Sequence, residues 1–187
     1  MDTRMKKPLL LIITGRPASG KTTLAHLLSG AINLPLVSRD ELKEGYVNTT
    51  GANQDILGNS VDKHIYETFF LAITLLVENG VSVIAEAAFQ HKLWQPKLAE
   101  LTGKAAIKII ICETGAALAK TRFINRLAND PGRGTFHDDN VIYSAGEKIT
   151  SLIDAYENVD MQVPLLHVDT NNNYTPGIET IIDFIKQ

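Results

Sequence analysis

The sequence predicts a three-layer α/β fold, a mainly parallel five-stranded sheet with helices on both faces, and three observations carry that prediction. Short β-branched apolar runs alternate with stretches of helical periodicity from one end of the chain to the other, the pattern of repeated βα units. One glycine-rich stretch, Gly15-Arg16-Pro17-Ala18-Ser19-Gly20-Lys21-Thr22, fits G-x-x-x-x-G-K-[ST] and stands between an apolar run and a helical one. At 187 residues, 44% hydrophobic and 21% charged, the chain can bury a core as one domain without disulfides or metal.

Strands are expected at Leu9–Thr14, Leu36–Ser38, Val81–Glu86, Ala106–Cys112 and Leu165–Asp169, each a short apolar run bounded by turn-forming residues. Helices fill the intervals: Lys21–Ala31, a short one from Asp40, and Ser60–Asn79 with Ser60 as N-cap. Further helices are expected at His91–Leu101, Ala116–Asn129, Asp138–Asn158 and Pro176–Lys186. Thr175 would cap the last of these, with Pro176 in its first turn. Two polar segments, Asn48–Gln54 and Asn129–Thr135, read as loops. Ligands of open parallel sheets bind beyond the carboxyl ends of the strands, and both loops could fold over that crevice. With no repeat or linker, residues 1–187 read as one domain with a helical lid at about 122–140.

A net charge of -3 argues against a dedicated nucleic-acid binder, though it leaves room for a local basic groove. Cys112, the single cysteine, forms no intrachain disulfide and fits a reducing compartment; its apolar surroundings suggest a buried structural thiol. Arg4, Lys6 and Lys7 precede an apolar stretch, but it is shorter than the roughly 7–15 residues of a secretion signal. No run reaches transmembrane length, so the expectation is a cytoplasmic protein without a membrane partner.

The glycine stretch carries the chemistry. Its glycines let backbone N–H groups turn inward around an anion, and the following helix adds partial positive charge at its N-terminus. Gly15 to Thr23 would cradle a triphosphate, Lys21 would reach its outer phosphates, and the Thr22 hydroxyl would ligate Mg²⁺. The second strand ends in Ser38-Arg39-Asp40-Glu41. Asp40 could take a proton from an acceptor hydroxyl, or it could simply cap the helix that follows. The third strand ends in Glu86, placed to hold Mg²⁺ through water, to orient an arginine or the acceptor, or merely to face solvent. Glu113 and Asp169 close strands in the same way; Glu86 stands out because small residues follow it. Arg122 and Arg126 lie one turn apart and Arg133 follows in the glycine loop. They would neutralise a transferring phosphoryl group, or decorate a solvated helix face. His64, His91, His137 and His167 have no metal-ligand spacing, and Trp94, Phe69 and Phe70 read as core.

With these pieces placed, the chain resembles the P-loop kinase group that includes small-molecule kinases and polynucleotide 5′-hydroxyl kinases. Chloramphenicol phosphotransferase and zeta-toxin-like kinases share its general plan. The resemblance rests on Gly15–Thr22, Ser38-Arg39-Asp40-Glu41, Ile84-Ala85-Glu86, and Arg122 followed by Arg126. It implies a P-loop NTPase fold, ATP and Mg²⁺ held by Lys21 and Thr22, Asp40 as general base, and Arg122 and Arg126 clamping the phosphates. Arg39 and Lys43 would then face the acceptor. Polynucleotide kinases carry an arginine where Lys43 stands and an aspartate where Glu86 stands, which weighs against a polynucleotide acceptor. The reading is an ATP-dependent kinase acting on a hydroxyl of a small metabolite or nucleotide-like acceptor. A regulatory ATPase and a 5′-polynucleotide kinase are the alternatives. Lys43, Tyr46, the Asn48–Gln54 loop and the lid would select the acceptor.

Overall fold

The computed structural model describes residues 7–51, 54–89, 91–129, 136, 156–157 and 160–187. Strand β1 (Leu9–Gly15) leads through the glycine stretch into α1 (Lys21–Ile32) and β2 (Leu36–Ser38). Two helices, α2 (Arg39–Thr50) and α3 (Gln54–Glu78), return the chain to β3 (Val83–Glu86). Then follow α4 (His91–Leu101), β4 (Ala106–Glu113), α5 (Ala116–Asn129), β5 (Leu165–Asp169) and α6 (Ile178–Lys186). The strands form one sheet in the order β2-β3-β1-β4-β5, and every ladder is parallel.

Alternation along the strands sorts their side chains onto two faces. Leu10 and Ile12 of β1 join Val83, Ala85, Ile107 and Ile109 beneath Phe69, Ile73 and Val77 of α3 and Trp94 and Leu98 of α4. Leu11 and Ile13 point the other way, with Ile84, Ile110, Cys112 and Val168, under Leu24 and Leu28 of α1 and Ile181 and Ile185 of α6. Central strands are therefore apolar on both sides, as a sheet covered by helices on both faces requires. Cys112 is buried there, as expected, and burial pushes its thiol up to about 12.

Register decides what meets at the carboxyl edge. Glu86 lies opposite both Ile13 of β1 and Ser38 of β2, while Gly15 lies opposite Cys112. The acid, the serine and the start of the glycine stretch thus emerge side by side where β1 exchanges neighbours, the usual place for a ligand crevice.

Several boundaries differ from the expectations. The segment 48–50 is helical, because α2 continues to Thr50 and the hydroxyls of Thr49 and Thr50 donate back to the carbonyls of Gly45 and Tyr46. Gly51, at φ 65, ends the helix by donating its N–H to the Val47 carbonyl. Helix α3 starts at Gln54, upstream of the expected Ser60 cap. β3 begins at Val83, leaving Val81 exposed outside the sheet. Helix α6 begins at Ile178 with Gly177 as its N-cap, after a cis Thr175–Pro176 peptide. Thr175 instead exchanges backbone hydrogen bonds with Asp169, which carries it away from the helix. The loop at 130–135 with Arg133, His137, and most of the helix expected at 138–158 lie outside the described residues.

Candidate active site

The glycine stretch folds as a tight loop between β1 and α1. A Cβ on Gly15 would lie 2.4 Å from the Cys112 carbonyl oxygen and 2.6 Å from Ser19 Oγ, so only glycine allows the chain to leave the sheet there. Ala18 (φ 60) and Gly20 (φ 82) take left-handed conformations, and the Ser19 N–H donates to the Arg16 carbonyl at 3.1 Å. Thr170, just past β5, braces the loop from outside by donating to the Ser19 carbonyl at 2.7 Å. Two features fit an anion here. The N-cap of α1 is Gly20, which has no side chain to cap the first turn, and Ser19 Oγ is buried without a hydrogen-bond partner among the described residues.

Behind the loop, Glu86 is buried at 1% exposure. Its carboxylate accepts from Ser38 Oγ at 2.6 Å and Thr22 Oγ1 at 3.2 Å, and Lys21 Nζ stands 3.9 Å away. Burial pushes the Glu86 carboxyl above its ordinary range, with Asp40 adding to the rise and Lys21, Ser38 and Thr22 opposing it. The solvent-facing reading of this acid is therefore excluded. Glu113 by contrast is half exposed and paired with His167 at 2.7 Å, while Asp169 accepts from Asn171 N–H at 2.7 Å. The hydroxyl of Thr22 and the carboxylate of Glu86 form a hard-oxygen pair of the kind that suits Mg²⁺ when phosphates complete its coordination. Among the described residues no group of three His, Cys, Asp or Glu side chains could hold a metal alone.

Asp40 lies in the first turn of α2, where its charge suits the helix dipole. It does not cap that helix. The N-cap position belongs to Ser38, in extended backbone, whose hydroxyl is given to Glu86. Asp40 lines a cavity of about 770 Å³ with Pro17 of the loop, Asp62 and Tyr66 of α3, and Leu93 and Trp94 of α4. Arg39 also lines it and spans two acids, with Nη2 3.0 Å from Asp62 and Nη1 3.6 Å from Asp40. Lys43 is buried, with Nζ 2.9 Å from the same Asp62 oxygen. For Asp62, burial works upward, but Lys43 and Arg39 outweigh it and hold the carboxyl below the ordinary 3.8.

Both arginines of α5 turn toward the loop. Arg122 and Arg126 share a small cavity of about 180 Å³ with Ala18, Gly20, Lys21, Thr22 and Thr23. Arg122 Nη2 donates to the carbonyls of Thr170 at 2.6 Å and Asn171 at 3.2 Å, and Arg126 lies 5.3 Å over the Phe123 ring. Neither sits on a solvated helix face.

The fold therefore gathers Gly15 to Thr23, Asp40, Glu86, Arg122 and Arg126 at one edge of the sheet, while Arg133 lies outside the described residues. Sequence reasoning passed over three residues. Asp62 holds Arg39 and Lys43; its only signal was its place on the same helical face as Tyr66, one turn on. Tyr156 hydrogen-bonds Thr14 Oγ1 at 2.8 Å and lines the cavity beside Asp40; burial pushes its phenol up to about 12. Thr170 braces the loop. Neither of the last two had a local signal, since their partners are remote in the chain.

A parallel sheet ordered 2-3-1-4-5, with a lysine-bearing glycine loop leaving its central strand, defines a P-loop kinase fold. The model of one protein family, AAA domain (AAA_33), matches residues 10–143, and the chain belongs to that family. Solved structures share the fold. A candidate kinase from Chloroflexus aurantiacus J-10-fl superposes with a TM-score of 0.80 at 24% identity, covering 98% of this chain and 96% of that one. A sugar kinase from Janibacter sp. HTCC2649 gives 0.63 at 16% identity over 97% and 95%. The APS kinase CysC of Mycobacterium tuberculosis, solved with AMPPNP and APS, gives 0.64 at 16% identity over 97% and 99%. No curated protein matches the chain.

Proposed function

We propose that this chain is an ATP-dependent kinase that transfers the γ-phosphoryl group to a hydroxyl of a small acceptor. The observation that supports the reading is that Asp40 and Pro17 of the phosphate loop line the same cavity, so an acceptor bound there would have a carboxylate beside the loop. The acceptor oxygen would attack the γ-phosphorus as the bond from that phosphorus to the β–γ bridging oxygen breaks. The hydroxyl proton passes to Asp40, and ADP leaves. Loop N–H groups and Lys21 hold the phosphates, and Arg122 and Arg126 neutralise charge spread over the transferring group. Thr22 and Glu86 would hold Mg²⁺, which when bound offsets charge on the phosphate oxygens. Ser38 orients Glu86 from behind. Arg39 and Lys43 act at the acceptor side through Asp62, and Arg133 would close over the site as part of a lid at about 122–140. Residues 1–187 would work as a single domain, in the reducing cytoplasm that a lone buried thiol suits.

Transfer of labelled phosphate from ATP to a panel of hydroxyl compounds tests the reading. Asp40→Asn is expected to lower acceptor phosphorylation by about 10²–10⁴-fold. Undiminished transfer by that variant would overturn the base assignment. Vigorous hydrolysis that no acceptor stimulates would instead favour a regulatory ATPase.

A further inference from the structure

We propose that the acceptor is an uncharged or cationic hydroxyl compound bearing an apolar ring, and that carboxylated and phosphorylated acceptors are turned away. The proposal rests on the kinase reading for its chemistry and on the cavity beside Asp40 for its recognition.

Charge is the first argument. Of the three cations that sequence reasoning assigned to the acceptor, Arg133 lies outside the described residues and the other two are already engaged. Lys43, at 5% side-chain exposure, and Arg39 both contact Asp62 Oδ1, at 2.9 and 3.0 Å, and Arg39 also leans on Asp40. An anionic acceptor reaching Asp40 would meet a like charge. It would also have to draw Arg39 from Asp62, leaving a half-buried carboxylate with fewer partners. Lys63 lines the cavity too, but Glu67, one turn further along α3, lines it with an opposite charge. Across the described lining two cations, Arg39 and Lys63, face three acids, Asp40, Asp62 and Glu67, so the cavity carries no cationic excess.

Shape is the second. About 770 Å³ is room for a ring-bearing molecule, well beyond a three-carbon acceptor. Beside the charged groups the lining is apolar or aromatic: Pro17, Ala88, Leu93, Trp94 and the rings of Tyr66 and Tyr156. Leu93 is 60% exposed there, and Tyr66 is fixed by donating its hydroxyl to the Leu93 carbonyl at 2.9 Å. A ring held on these side chains would share the cavity with Asp40 and with Pro17 of the phosphate loop, the groups its hydroxyl has to reach.

Trp94 is the only tryptophan, so its emission reports on the cavity wall without requiring turnover. The probes are three phenyl carbinols differing in one substituent, namely phenylethylene glycol (neutral), phenylethanolamine (cationic) and mandelate (anionic), with ethylene glycol as the ringless control. Titrated into the full chain, the neutral and cationic rings are expected to shift Trp94 emission at concentrations at least about tenfold below those needed by mandelate or ethylene glycol. Asp62→Asn, which releases Arg39 and Lys43, should tighten mandelate by about tenfold. Should that variant fail to fold by circular dichroism, Leu93→Ser at the exposed rim should weaken the ring-bearing probes and leave ethylene glycol unchanged. Mandelate or ethylene glycol binding as well as phenylethylene glycol, or no ring-bearing probe moving the emission, would overturn the proposal. Phosphoryl transfer measured on the same samples separates the two claims. Binding of the neutral ring without transfer would sink the kinase reading alone, and transfer to mandelate in preference would sink the acceptor class alone.

Discussion

Lys21→Met removes the one cation within ion-pair distance of Glu86 among the described residues and should do so with a pH signature. The two side chains are 10% and 1% exposed and 3.9 Å apart. At an effective dielectric of about 20, that separation corresponds to an attraction of about 4 kcal/mol. Hydrogen bonds from Ser38 and Thr22 remain in the variant and offset part of the loss. A net destabilisation of about 2–3 kcal/mol at pH 8 is expected, lowering Tm by about 4–12 °C for a chain of this size. The sign of the pH dependence follows from the acid. Burial already holds the Glu86 carboxyl above 4.5, and Lys21 is the largest influence opposing that rise. Without Lys21 the folded value climbs further. Between the unfolded and folded values the native protein keeps a proton that the unfolded chain has lost, so stability falls as pH rises through that interval. The variant should therefore approach wild type near about pH 5 and diverge toward about pH 8. Thermal melts at both pH values check this, and adding Glu86→Gln should abolish the divergence. Saturating MgATP at about 100 times Kd should stabilise wild type by about 2.7 kcal/mol. That gain should be lost in Lys21→Met. A loss equal at both pH values, a larger loss at the lower one, or an unchanged nucleotide shift would refute the reasoning.

Three further outcomes follow from the structure. Gly15→Ala should destabilise by about 1–3 kcal/mol and abolish the nucleotide-induced Tm shift, because its Cβ would collide with the Cys112 carbonyl. Gly45→Ala, on α2 where the added Cβ would meet no described residue within 4 Å, should raise stability by about 0.5–1 kcal/mol; melts of the pair with opposite signs check both, and a neutral Gly15→Ala would be fatal to the account of the loop. Cys112, its thiol pushed up to about 12 by burial, should resist iodoacetamide at pH 8 in the native protein and react readily in denaturant. Native labelling at the rate of a free thiol would contradict that burial.

What was legible in the sequence is what contiguous residues decide. The glycine loop is eight consecutive residues whose backbone conformations, strand before and helix after follow from local sterics. The strands likewise announced themselves by apolar runs that a sheet covered on both faces demands, and Ala116–Asn129 is helical over the expected span. Local signals failed where several competed. The polar run at 48–50 read as a loop, yet its threonine hydroxyls satisfy carbonyls of their own helix. Thr175 and Pro176 carried a strong start signal, but hydrogen bonds to Asp169 claimed Thr175 first.

The acceptor side was decided by the tertiary structure. Asp40 and Glu86 could be named as strand-end acids, yet burial against Ser38 and Thr22 set one apart from Glu113 and Asp169, and a shared cavity with Pro17 gave the other its place. Tyr46, expected near the acceptor, packs instead on His64. The wall beside Asp40 comes from α3 and α4, and the charge balance there depends on Asp62 reaching back to Arg39 and Lys43. Those contacts join residues far apart in the chain. Asp62 meets Arg39 and Lys43 only when α3 packs against α2, and α4 reaches the same cavity only across β3; contiguous residues suffice for the phosphate loop, whereas packing between helices settles what shares its crevice.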